Sequence, residues 1–220
     1  MNFMRKNWYF VGAGLFVVLA VGLAIFWNDM SVLRRLMWMS YMALLVHQFE
    51  EYGWPGGFPA VTNIAWMPSK GGKPDRDKLN QQGAFFANVV FAYTFYILSI
   101  LFADQIWMGV ATALFGIAQF GVHGIIINRK LRSIYNPGLF AVIALFLPIG
   151  IYYLWYVISN QLVQWWMWPV AIVYLGIAAY VGLLKMAFSW FADPNSPYPF
   201  SQREMERFHV KEKVEKLTVK

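Results

Sequence analysis

The sequence predicts an all-α, polytopic transmembrane helical bundle of about six spans with both termini cytoplasmic. Composition is the first reason: 59% of the 220 residues are hydrophobic and 19% aromatic, while only 13% are charged. A soluble domain carries about 25% charged residues, and one this size would have to bury nearly all of its apolar side chains. The second reason is six apolar runs, at residues 8–27, 36–49, 84–103, 106–127, 138–158 and 163–191. A hydrocarbon core of about 30 Å takes roughly 20 helical residues, and five of the six runs reach that length unaided. The third is charge placement. Lys and Arg gather at the N-terminus (Arg5, Lys6), after the second run (Lys70, Lys73, Arg76, Lys78), after the fourth (Arg129, Lys130, Arg132) and in the C-terminal tail, whereas the loops around Asp104 and Gln161 have none. Positive loops stay inside. Arg34 and Arg35 fall in an outside loop on this scheme and are expected to snorkel from the start of the second helix.

The first run follows Arg5 and Lys6 and is longer than a signal-peptide core of about 7–15 residues, so it reads as an uncleaved span. The second helix is predicted over 32–52. Ser31 is its expected N-cap, and Pro55 with Gly53, Gly56 and Gly57 stops it after Tyr52. Residues 53–82 form a long cytoplasmic loop in which Trp54, Phe58 and Trp66 suit a membrane interface. The third helix carries Asn88 one turn from its start. The fourth presents Gln119 and His123 on one face, with Asn128 at its exit. The fifth starts after Tyr135-Asn136-Pro137-Gly138, and the sixth has Lys185 near its inner end. Residues 1–192 thus make the membrane domain. Residues 193–220 make a charged cytoplasmic tail, solvated or lying on the surface, that opens with Pro194, Pro197 and Pro199.

Alternating spans bring His47, Glu50, Glu51, Asn88, His123, Asn128, Tyr135 and Asn136 to one depth in the inner leaflet, with Lys185 near it. An ionisable group in hydrocarbon costs about 2.5–3.5 kcal/mol, so such a layer marks a site or paired structural contacts. The bland alternative is that the second helix ends in water with both carboxylates solvated, and that His123 is hydrogen-bonded to a neighbouring helix. The spacing favours chemistry. His47 and Glu51 stand at i, i+4 as ligands do in HxxEH sites, and Glu50 takes the place of the general base. His123 is the remaining membrane histidine and the third candidate ligand. Two His and one carboxylate with an open position suit a hydrolytic Zn²⁺ site or a non-haem Fe(II) triad, with Zn preferred. Too few histidines and glutamates lie in the spans for a multi-histidine or carboxylate diiron centre. The chain has no cysteine, which removes thiolate ligands and nucleophiles. Asn88 and Asn128 would orient a ligand or hydrogen-bond a developing oxyanion, and Tyr135 would serve as an acid or a substrate contact.

The ordered set His47-Gln48-Phe49-Glu50-Glu51, Asn88, His123-Gly124-Ile125-Ile126-Ile127-Asn128 and Tyr135-Asn136-Pro137-Gly138 resembles the HXXEE domain family of integral membrane proteins. The resemblance covers about residues 30–185. It implies that His47, Glu50, Glu51, Asn88, His123, Asn128, Tyr135 and Asn136 are the functional positions. It carries no established reaction with it.

The expected function is therefore an integral enzyme of the cytoplasmic membrane. It uses one divalent metal ion to hydrolyse a lipid or other amphiphile that enters from the inner leaflet. Two alternatives keep the same residues: a metal-free acid–base isomerase or cyclase acting on an isoprenoid-like lipid, and a proton- or cation-coupled transporter. Transport would suit inverted repeats, and the sequence shows none. The net charge of +7 does not point to nucleic acid, because the basic residues are spread over inner loops and tail, where orientation and anionic lipid account for them.

Overall fold

The computed structural model describes residues 2–68 and 72–218, and among these it contains helices and no strand. Lys70, one of the orienting charges, lies outside the described residues. Five helices are long and apolar enough to cross a membrane: α1 (Asn2–Ile25), α4 (Gln81–Leu101), α5 (Ile106–Leu131), α6 (Leu139–Ser159) and α7 (Met167–Trp190). Between α1 and α4 lie α2 (32–53) and the short α3 (58–66). Two small helices, α8 (Gln202–Glu206) and α9 (Val210–Thr218), follow α7.

The hub of the bundle is α2, which packs against α1, α4, α5 and α6. Its start is as expected, since the Ser31 side chain accepts the Arg34 backbone N–H at 3.3 Å. Arg35 reaches back over the Trp27 ring at 4.7 Å rather than into the bundle. By contrast α1 is peripheral and buries only Trp8, Tyr9 and Gly12. The central helix can carry polar side chains because protein surrounds it, whereas an outer helix facing lipid has to be apolar all round.

Two apolar cores stack along the bundle. One holds Met37, Leu44, Leu45, Tyr96, Val110, Phe146 and Tyr153, and the other holds Trp8, Tyr52, Phe58, Val61, Ile127, Phe200 and Val210. Residues 53–82 do not form a simple loop. Pro59 in the first turn of α3 fixes a helix start, and Ala60, Val61, Thr62 and Asn63 of that helix are almost wholly buried. The Asn63 amide donates at 2.7 Å to the carbonyls of Pro74 and Leu79 and so closes the segment on itself. Trp54 is 75% exposed, as an interfacial residue should be, but Phe58 is buried inside. The tail lies over this second core. Phe200 N–H donates to the Asp75 carbonyl at 2.9 Å, and Gln81 N–H to the Tyr198 carbonyl at 3.0 Å. Arg76 grips its neighbour Asp75 with both N–H groups at 2.8 Å, which holds the Asp75 carboxyl below its ordinary range.

Parts of α2, α4, α5, α6 and α7 share a departure from α geometry: 49–53, 86–92, 120–127, 142–146 and 179–190 are wound as wider π-helical turns. Such turns shift the register of successive side chains and recur at functional sites. Here all five lie at the end of the bundle that carries the polar residues.

The tail is tied to α2 by Arg207, whose Nη1 donates to the Tyr52 and Gly53 carbonyls at 2.7 and 2.8 Å. Orphan carbonyls end every helix, and a cation there also meets the negative end of the dipole. Arg207→Ala should therefore lower stability by about 1–3 kcal/mol. It should also raise hydrogen exchange in residues 49–54, measured by mass spectrometry on detergent-solubilised protein. Unchanged exchange there would show that the clamp contributes nothing.

Candidate metal site

His47 and Glu51 stand one turn apart on α2 and meet His123 from the π-wound part of α5. Glu51 Oε1 lies 3.5 Å from His47 Nε2 and 3.4 Å from His123 Nε2. One ligand atom from each of the three residues falls within 4.8 Å of the others, and all three residues are buried, so the cluster can hold a metal ion. His123 is 1% exposed, and His47 and Glu51 are each 5% exposed.

The opposite edge of each imidazole is tied down. His47 Nδ1 lies 3.0 Å from the Gly138 carbonyl. A carbonyl only accepts, so Nδ1 carries the proton. His123 Nδ1 lies 2.8 Å from Asn136 Oδ1. The orientation of that amide follows from its other partners: Asn136 Nδ2 donates at 2.7 Å both to the His123 carbonyl and to Asn128 Oδ1. The hydrogen-bond network thus puts a proton on Nδ1 of both rings, so that in the neutral form each is the Nδ1–H tautomer. Both Nε2 lone pairs are then left directed at Glu51. Carbonyl partners behind ligating histidines are the usual means of fixing ring orientation and basicity at metal sites.

Glu50 is the adjacent residue and does something else. Its Oε1 accepts the Tyr135 hydroxyl at 2.7 Å and the Phe140 N–H at 3.0 Å, and its Oε2 accepts the Ala141 N–H at 2.8 Å. Those amides open α6, so a carboxylate from α2 satisfies the orphan donors of another helix. Burial and then the Glu50 carboxylate push the Tyr135 hydroxyl above its ordinary range, which keeps it a donor.

Gly138 closes the arrangement. Its φ of +103° is a left-handed conformation that favours glycine. A Cβ there would come within 2.5 Å of His123 Cε1 and 2.8 Å of His47 Cε1. The backbone of residues 136–138 therefore presses directly on both rings. Phe58 stacks on His123 with ring centres 5.7 Å apart, and Phe146 meets His47 edge-on at 5.5 Å. One aromatic belongs to each core, so the site sits where the two cores join.

Of the residues expected from sequence, His47, Glu50, Glu51, His123, Asn128, Tyr135 and Asn136 share this network. Asn88 stands aside: its side-chain and backbone oxygens take the Gln48 amide at 3.2 and 3.3 Å, and its Nδ2 donates to the Ala84 carbonyl. Lys185 lies over the Tyr180 ring at 5.5 Å instead of entering the layer. Sequence reasoning missed Gly138, the Phe140 and Ala141 amides, Gln48 and Phe58. A glycine directly before a predicted helix and after an Asn-Pro pair was the one available signal among these.

Two substitutions test the geometry. Glu50→Gln puts an amide donor against a backbone N–H in either orientation and should cost about 1–3 kcal/mol, read as a lowered unfolding midpoint in detergent. Gly138→Ala should displace both rings and lower stability by a similar amount, of order 1–3 kcal/mol. A midpoint equal to wild type in both variants would contradict the described contacts.

The sequence model of a family described as a protein of unknown function with HXXEE motif matches residues 38–153. No curated protein and no solved structure matches the chain. The matched segment covers more than half of the chain and contains every residue of the network from His47 to Ala141, and the chain belongs to this HXXEE family.

Proposed function

We propose that the chain is a metal-dependent enzyme of the cytoplasmic membrane that hydrolyses a lipid or other amphiphile reaching the site from the inner leaflet. One observation carries the reading. The separations of 3.4 and 3.5 Å from Glu51 Oε1 to the two Nε2 atoms exceed a good hydrogen bond. They are close to the ~3.3–3.4 Å expected between ligands 2.0–2.1 Å from a tetrahedral ion. Two histidines and one carboxylate around an open position are a common zinc ligand set, and we take zinc as the ion on that chemistry. His47, Glu51 and His123 would be the ligands, leaving a fourth position open. When bound, zinc would supply a Lewis acid and a nucleophile at neutral pH.

Glu50 has roughly four lone-pair sites, of which three are taken, and the free one on Oε2 is our proton acceptor. Tyr135 holds its hydroxyl proton and can donate it. Asn128 and Asn136 are positioning residues acting through His123. Asn88 positions Gln48 on the same helix as the ligands. We further propose six spans, with α2 as the sixth, and both termini cytoplasmic, on the strength of the Lys and Arg distribution.

Elemental analysis of detergent-purified protein, without added metal or chelator, tests the site. About one zinc per chain is expected, lost in His47→Ala, Glu51→Ala and His123→Ala. Asn136→Ala should retain the ligands but weaken zinc affinity about 10–100-fold. Equal metal content in all variants would remove the assignment. The orientation is tested separately on this cysteine-free chain by single substitutions. Lys130→Cys should be labelled from the cytoplasm and Asp104→Cys from outside, and the reverse pattern would invert the topology.

A further inference from the structure

Away from the metal site, the first turns of α1 face the tail segment that leads into α8. Between them lies a cleft of about 810 Å³. Its wall gathers Arg5, Lys6, Arg203 and Arg207 from opposite ends of the chain, against a single carboxylate, Glu204. That carboxylate is already engaged: Glu204 Oε2 accepts the Ser201 N–H at 2.8 Å and its hydroxyl at 2.7 Å in a capping box. Among the described residues, none of the four cations has an ion-pair partner.

Arg5 is held for something other than a carboxylate. Its guanidinium lies 3.7 Å from the centre of the Tyr198 ring, and Nη2 donates to Asn2 Oδ1 at 2.7 Å. Its Nε is buried and has no partner. Arg207 gives its Nη1 to backbone carbonyls, which leave its charge unneutralised. Like charges gathered in a cleft repel one another and focus a field that draws a multivalent anion. Guanidinium groups match phosphate oxygens in geometry as well as charge.

Depth narrows the ligand. With 24 residues, α1 spans about 36 Å, a little more than the ~30 Å hydrocarbon core. With α1 spanning the membrane as proposed above, Arg5 and Lys6 in its opening turns lie at headgroup level. Beside them Phe3 is 68% exposed, and Phe10, 50% exposed, lines the cleft. A headgroup in the cleft would have its acyl chains along these rings.

We propose that this cleft binds a phosphate group through Arg5, Lys6, Arg203 and Arg207, and that the phosphate belongs to the headgroup of an anionic membrane lipid. Because Arg207 also holds the last turn of α2, an occupied cleft ties the tail to the helix that bears His47, Glu50 and Glu51.

The test uses full-length protein, delipidated in neutral detergent and titrated with phosphatidylglycerol or phosphatidylcholine in mixed micelles, with bound lipid read by native mass spectrometry. Wild type should retain one phosphatidylglycerol in preference to phosphatidylcholine. Lys6→Gln/Arg203→Gln removes two exposed charges and should weaken retention about thirty-fold. Arg129→Gln/Lys130→Gln removes the same charge elsewhere and should leave it unchanged. Arg5→Gln should weaken it as a single substitution. Inorganic phosphate that binds with the same variant order, with no lipid retained, would keep the anion site and overturn the lipid assignment. Equal retention of the two lipids without phosphate binding, or equal losses in the two double variants, would overturn the site.

Discussion

The structure around the His47–Glu51–His123 cluster depends on the Glu50 carboxylate seated on the opening turn of α6. A buried carboxylate needs donors, the first amides of a helix need acceptors, and hydrocarbon offers neither. Each therefore satisfies the other, and α2 is joined to α6 at one point. The segment leading into α6 is fixed as a consequence. From that segment come the Gly138 carbonyl and the Asn136 amide, which set the tautomer and direction of His47 and His123. The ligand geometry is in this sense inherited from a contact made by a residue that is not itself a candidate ligand. It also explains why two successive acids are needed: Glu51 faces the imidazoles while Glu50 holds the scaffold that aims them.

Different forces hold the two sides of this junction. Between spans, lipid tails are as apolar as the side chains, so association relies on close packing and buried polar pairs such as Ser99 with Thr112, whose hydroxyls lie 2.7 Å apart. Close packing is visible where Tyr153 meets Gly109 and its hydroxyl reaches the Ile106 carbonyl. The second core, around Tyr52, Phe58, Phe200 and Val210, is built from α3 and the tail as well as helix ends. Burial from water can drive its assembly. The site thus has one wall in Phe146 and α6, and another in Phe58, which belongs to the added layer.

Much of this was legible in the sequence, for physical reasons that also explain the rest. Membrane-length apolar runs, the Ser31 cap and the stop at Gly53 follow from local rules of length, capping and backbone freedom. His47, Glu51 and His123 could be grouped because ionisable residues are costly in hydrocarbon and helical spacing puts the first two on one face. The division of labour between Glu50 and Glu51 was not legible: adjacent residues diverge on any helix, and which one meets α6 depends on tertiary packing. The Gly138 carbonyl and the Phe140 and Ala141 amides are backbone groups, which every residue has, so no side-chain pattern announces them. Phe58 reads as an interfacial aromatic until α3 folds inward. Arg207 is one of several basic tail residues and is distinguished only by the carbonyls it meets.

Two imidazole Nε2 atoms and one carboxylate oxygen gathered in a buried cluster are proposed to receive one metal ion. X-ray absorption at the zinc edge of the purified wild-type protein would read this coordination. A four-coordinate shell is expected, with two imidazole nitrogens about 2.0–2.1 Å and oxygen about 2.0–2.2 Å from the ion. A zinc shell without imidazole scattering, or no zinc retained after supplementation, would contradict it.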